Sequence, residues 1–194
     1  MLYQKLKLGD EIRIIAPSRS LVNLDFNRNE YAQKKLEEYG FKVSVSKYAN
    51  DSDFAKSSSI QKRVDDIHTA FLDKNVKAII TATGGYNVNQ LLKYIDYNII
   101  KENPKIICGF SDITALLNAI YKKSGLITYY GPNLFNFGME KGFEYTYEYF
   151  CKMLLNNEAF EVKPSEKWSN DRWWKNQEER EFIENEGMFV INEG

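Results

Sequence analysis

Three short stretches hold the residues best suited to chemistry: Pro17-Ser18-Arg19-Ser20, Thr83-Gly84-Gly85-Tyr86-Asn87 and Gly109-Phe110-Ser111-Asp112. Ser111 stands where an apolar run, Ile106-Ile-Cys-Gly109, gives way to a helical pattern starting at Ile113. A serine at such a junction can cap the helix, because its hydroxyl accepts an N–H from the first turn. It can equally be a nucleophile, raised above a sheet on a strained strand-to-helix turn with the next residue's N–H helping to hold an oxyanion. The pattern G-F-S-D-I departs from the G-x-S-x-G elbow of α/β-hydrolases, since Ile113 takes the place of the last glycine. A serine hydroxyl also needs a neighbouring base. Thr114 rules out an S-x-x-K dyad starting at Ser111, and the single histidine, His68, flanks the inner stripe of a helical pattern, as an ordinary helix residue would.

Gly84 and Gly85 allow close main-chain approach to a ligand, or form a tight turn and nothing more. Neither G-x-G-x-x-G nor G-x-x-x-x-G-K-[ST] is present, which argues against a phosphate cradle. Trp168, Trp173 and Trp174 lie in a polar segment; they serve either as anchors for a long connection or as a stacking surface for an aromatic ligand such as a nucleobase. Cys108 and Cys151 have neither the number nor the spacing of a disulfide framework or zinc site, and Cys108 is expected to be a buried free thiol.

The elements that must position these residues follow from periodicity. Strands are expected over Glu11–Ala16, Phe41–Ser46, Val76–Ala82, Lys105–Cys108 and Leu126–Tyr130. Helices are expected over Asn27–Tyr39, Ser59–Leu72, Asn87–Tyr94, a stripe from Ile113 to Ile120, and Glu144–Leu155, with Gly40 as a left-handed cap. Strands alternating with helices predict an α/β fold: an open, mainly parallel sheet with flanking helices, three-layered and Rossmann-like or flavodoxin-like. The three candidate loops then gather beyond the carboxyl ends of the strands, where such sheets bind ligands. Residues 1–160 read as one α/β domain holding Ser111, and 161–194 as a linker and the truncated start of a second domain, because the apolar run Met188-Phe-Val-Ile191 has no partner strand after it.

Composition narrows the partners. Lys plus Arg number 26 against 27 Asp plus Glu, a net charge of −1, so nothing favours a nucleic-acid backbone. No segment has the apolar length of a signal peptide or membrane span, which predicts a cytoplasmic location and no membrane partner. Dimerisation is compatible with the sequence, although no residue pattern specifies it.

Taken together, Ile14-Ile-Ala-Pro-Ser18, Thr83-Gly-Gly-Tyr-Asn-Val-Asn-Gln-Leu-Leu92, Asn103-Pro-Lys-Ile-Ile-Cys-Gly-Phe-Ser-Asp-Ile-Thr-Ala-Leu116 and Tyr130-Gly-Pro-Asn133 occur in an order and spacing that resembles the LD-carboxypeptidase family of serine peptidases. Trp168, Trp173, Arg180 and Ile191-Asn-Glu-Gly194 are similar to its microcin C self-immunity branch more than to its muropeptide-recycling branch. The resemblance implies that Ser111 is the nucleophile, with an oxyanion hole from the N–H groups of Asp112 and of the Gly84–Gly85 turn. It implies a Glu and a His from a second domain, for which this sequence has no matching positions, so the chain alone is expected to turn over little. It also implies amide hydrolysis beside a terminal carboxylate or in a peptidyl or aminoacyl nucleotide, through an acyl-enzyme and without metal or organic cofactor. The recycling branch would instead take a cell-wall tetrapeptide. A non-catalytic module binding a nucleotide-like ligand, or a site completed by a separate polypeptide, are the competing expectations.

Overall fold

The structure, a computed structural model, describes residues 4–187. It opens with β1 (Glu11–Ile15), α1 (Phe26–Glu38), β2 (Lys42–Val45), α2 (Ile60–Leu72) and β3 (Val76–Thr81). It continues through α3 (Tyr97–Glu102), β4 (Ile106–Gly109), α4 (Ile113–Ser124), β5 (Tyr129–Tyr130), α5 (Leu134–Phe137) and α6 (Glu144–Leu155). The five strands form one parallel sheet in the order β2-β1-β3-β4-β5, so the flavodoxin-type arrangement is the one adopted.

Strands buried on both faces read as apolar runs, and their alternation divides the core in two. Ile12, Ile14, Ala78, Ile80, Ile106 and Cys108 pack with residues of α1, α5 and α6. Ile15, Ile79 and Ile107 pack on the other side with α2, α3 and α4. Local chemistry starts and stops the helices: Asp25 accepts the Arg28 N–H at 3.0 Å to cap α1, and Ser59 accepts that of Lys62 at 3.4 Å to cap α2. Gly40, at φ +92°, follows α1 in the left-handed region that its sequence position predicts.

The differences from the periodicity reading are local. The fifth strand pairs over two residues only, and the expected helix at Asn87–Tyr94 is a 3-10 turn at Val88–Leu91. Helices α3 and α5, six and four residues long, are too short for a 3.6-residue period to reveal. The polar segment after Phe160 folds back onto the sheet domain. Trp173, 7% exposed, packs at 4.7 Å and tilted by 42° against Phe135 just after the start of α5, beneath the Arg28 guanidinium of α1. Gln177 is buried beside it and donates to the Trp173 carbonyl at 2.7 Å. A short antiparallel pair, β6 (Lys167–Trp168) and β7 (Ile183–Glu184), closes this excursion. The expected strand-like run Met188–Ile191 lies outside the described residues.

Candidate active site

In the order 2-1-3-4-5 the connections reverse direction between β1 and β3, and the crevice beyond the carboxyl ends of those strands is where such sheets bind ligands. Ser18 follows β1, Gly84 and Gly85 follow β3, and Ser111 follows β4. The fold thus brings together the three loops that the sequence singled out.

Ser111 is exposed and sits at φ +67°, a left-handed backbone that costs a non-glycine residue about 1–2 kcal/mol. It is not the helix cap. Asp112 occupies that position at the start of α4, while the Ser111 carbonyl accepts the Thr114 N–H at 3.1 Å. The serine is therefore held one residue outside the helix on a strained turn, the geometry of a nucleophile elbow, even though Ile113 stands where the hydrolase motif has glycine. A β-carbon on Gly84 would lie 2.8 Å from Ser111 Oγ and 2.6 Å from its Cβ, so the bare main chain of the β3 loop runs directly against the hydroxyl.

The Gly85 N–H is already engaged, donating to Asp112 Oδ1 at 2.7 Å. Of the expected oxyanion donors, Gly85 thus acts in this structure as a tether for the turn. Asp112 Oδ2 accepts the Ser18 hydroxyl at 2.6 Å and the Val88 N–H at 3.3 Å. From below, Arg63 of α2, 3% exposed, donates to the Pro17 carbonyl at 3.0 Å, the Asn87 carbonyl at 3.3 Å and Gln90 Oε1 at 2.8 Å. Burial pulls its guanidinium below the ordinary arginine value, opposed by the charges of Asp53 and Asp112. Asn133, 1% exposed, accepts from the Thr81 hydroxyl and from the Phe110 N–H at 3.4 Å, which fixes the residue preceding Ser111.

His68 lies elsewhere in the bonding pattern: its Nε2 accepts the Asp96 N–H at 2.9 Å, and burial lowers its pKa. It supports the start of α3 rather than the serine. The Cys108 thiol is buried and its pKa is pushed up to about 12 by that burial, so it is an inert core group. Trp173 is an anchor whose ring packs between Phe135 and Arg28, whereas Trp168 and Trp174 remain about half exposed. Among the described residues no three His, Cys, Asp or Glu side chains cluster so as to hold a metal ion, and no helix is long and apolar enough to cross a membrane.

Sequence reasoning passed over Arg63 and the Asp112 carboxylate. Arg63 carried a signal: it falls three residues after Ile60 on the apolar side of α2, where an arginine must find buried partners.

Comparison with known proteins bears on the family and the fold. The model of the LD-carboxypeptidase N-terminal domain matches residues 12–131. YocD of Bacillus subtilis (strain 168) is 50% identical over 194 residues, covering 100% of this chain and 60% of its own length. The crystal structure of an MccF-like protein from Bacillus anthracis str. Ames superposes with a TM-score of 0.95 at 57% identity, over 96% of this chain and 57% of that one. The microcin C7 self-immunity protein MccF, known from Escherichia coli, has been solved in complex with aspartyl sulfamoyl adenosine. That structure superposes with a TM-score of 0.90 at 34% identity, over 96% of this chain and 58% of that one. The chain spans about 60% of the length of these three proteins. It belongs to the LD-carboxypeptidase family.

Proposed function

We propose that Ser111 is the nucleophile of a serine carboxypeptidase of the microcin-immunity type, acting on an aminoacyl or peptidyl nucleotide. The observation that carries this reading is the exposed Ser111 hydroxyl, held at φ +67° against the main chain of Gly84. Ser111 Oγ attacks the carbonyl carbon of the scissile amide and loses its proton to a general base. The Asp112 and Gly84 N–H groups receive the negative charge that develops on the carbonyl oxygen. Collapse expels the nitrogen of the leaving group, which takes up a proton, and water releases the acid from the acyl-serine.

The substrate class rests on relatives: the sulfamoyl adenosine bound to MccF carries an aspartyl group joined through an acyl–nitrogen bond, which is the bond this mechanism cleaves. The base is assigned to no residue of this chain, because His68 is the single histidine and its Nε2 is occupied by the Asp96 N–H. Turnover by the chain alone is accordingly small. Loss of a base leaves on the order of 10³–10⁴-fold catalysis over water from binding and oxyanion stabilisation in a complete site.

The test is release of sulfamoyl adenosine from aspartyl sulfamoyl adenosine, with an LD-tetrapeptide in parallel, by the chain and its Ser111→Ala variant. Release confined to the nucleotide and lost on substitution supports the proposal. Cleavage of the tetrapeptide in preference would move the protein to the cell-wall branch, and release that survives Ser111→Ala would remove the nucleophile.

A further inference from the structure

An aspartate at the first position of a helix ordinarily accepts an N–H from the helix's own first turn. Asp112 holds that position in α4, yet its side chain makes no capping bond. Its carboxylate turns to the other two loops of the site instead. Oδ1 accepts the Gly85 N–H at 2.7 Å; Oδ2 accepts the Ser18 hydroxyl at 2.6 Å and the Val88 N–H at 3.3 Å. The donors come from the loop after β1 and the loop after β3, and the acceptor from the loop after β4. Ser18 is fully buried and has one proton, which the shorter carboxylate contact takes in preference to Asn87 Oδ1 at 3.1 Å.

We propose that the Asp112 carboxylate is a positioning residue that clamps the Gly84–Gly85 turn in register with the Ser111 hydroxyl. Bonds to an ionised acceptor are roughly twice as strong as neutral ones, so one carboxylate with three donors can fix two loops at once. A donor set that is already in place needs no rearrangement when charge develops on the substrate. The helix gives up its own side-chain cap for this, and the turn is tied from one side by Asp112 and braced from below by Arg63, which donates to the Pro17 and Asn87 carbonyls. The clamp rests on the proposed role of Ser111 for its catalytic consequence, but not for its existence.

The test follows amide hydrogen exchange in the chain and in its Asp112→Ala and Asp112→Asn variants. In Asp112→Ala the Gly85 and Val88 amides exchange about 10- to 100-fold faster, the factor corresponding to a lost bond to a charged acceptor, while core amides of β3 and β4 keep their protection. Asp112→Asn restores Gly85, because its carboxamide oxygen still accepts and its NH₂ can donate to the Ser18 oxygen. It does not restore Val88, which then faces a donor. The rate at which a fluorophosphonate modifies Ser111 falls about 10-fold or more in Asp112→Ala and recovers in Asp112→Asn.

Unchanged Gly85 exchange in a folded Asp112→Ala variant would overturn the proposal, as would equal exchange rates at Gly85 in the Ala and Asn variants. If Asp112→Ala does not fold, Ser18→Ala removes a single donor and is expected to speed exchange at Gly85 several-fold; no change there would refute the clamp. The amide readout requires no turnover. It therefore fails or succeeds independently of whether Ser111 attacks a substrate.

Discussion

Gly84 offers the sharpest quantitative check on the site. An added β-carbon there would lie 2.6 Å from Ser111 Cβ, 2.8 Å from Ser111 Oγ and 3.2 Å from Asp112 Oδ1. Non-bonded carbons settle about 3.5–4.0 Å apart, so Gly84→Ala must push the two loops apart by about 1 Å. Overpacking of this kind costs ~1–3 kcal/mol, and at ~2–4 °C per kcal/mol for a domain of this size the Tm should fall by ~2–12 °C. Ser111→Gly does the opposite. It deletes both of the nearest atoms and replaces a residue strained at φ +67° by one at ease there, for a gain of ~1–2 kcal/mol. In that background the nearest of these atoms left to meet the added β-carbon is Asp112 Oδ1 at 3.2 Å. A double-mutant cycle measured by urea denaturation should therefore show Gly84→Ala costing at least ~1 kcal/mol less when Ser111 is glycine. Gly125→Ala is the control: the position has φ +73° with nothing within 4 Å of an added β-carbon, so its cost should be the same in both backgrounds. Equal cost of Gly84→Ala with and without the serine side chain would refute the close approach, and a Ser111→Gly variant less stable than the parent would refute the strain.

Two further perturbations probe the surroundings. Burial pushes the Asp66 carboxyl up from 3.8 to about 6, against the lowering effect of the Tyr48 N–H that it accepts. The folded protein thus holds this proton more tightly than the unfolded chain. The stability it contributes is full below about pH 4 and is lost as the pH rises through 6, so Asp66→Asn should flatten the decline in urea midpoint between those values. An equally steep decline in the variant would show that another group causes it. Trp173→Ala removes the ring packed between Phe135 and Arg28 and should cost ~3–5 kcal/mol while exposing residues 161–187 to protease; a cost under ~1 kcal/mol would mean that the excursion is held by other contacts.

The parallel sheet was legible because its strands are buried on both faces, which leaves uninterrupted apolar runs such as Ile106-Ile-Cys in β4. Helices of twelve or thirteen residues, such as α2 and α6, were legible from their stripes. Shorter pieces were not: α3 has six residues and α5 four, and contacts rather than periodicity define them. The same limit applied to the site. Residue types marked the three loops, and strand order explains why they meet, but the choice between cap and elbow at Ser111 depended on a backbone angle that no spacing encodes. The use of Asp112 was hidden for the same reason. A short acid beside a helix start reads as a cap, and only the approach of Ser18, Gly85 and Val88 in space reveals another task. Trp173 and Gln177 lacked a period because their partners, Phe135, Arg28 and the Glu140 N–H, lie far away in sequence.

The central claim is that Ser111 is the activated serine of this chain. The most direct measurement is exposure of the chain to a fluorophosphonate with peptide mapping of every modified serine over time, repeated on Ser111→Ala. Strain and oxyanion donors act even without a general base, so Ser111 should be modified faster than any other serine, and the fast phase should vanish in the variant. Modification of Ser111 no faster than that of the remaining serines, or a fast phase that survives Ser111→Ala, would contradict the account.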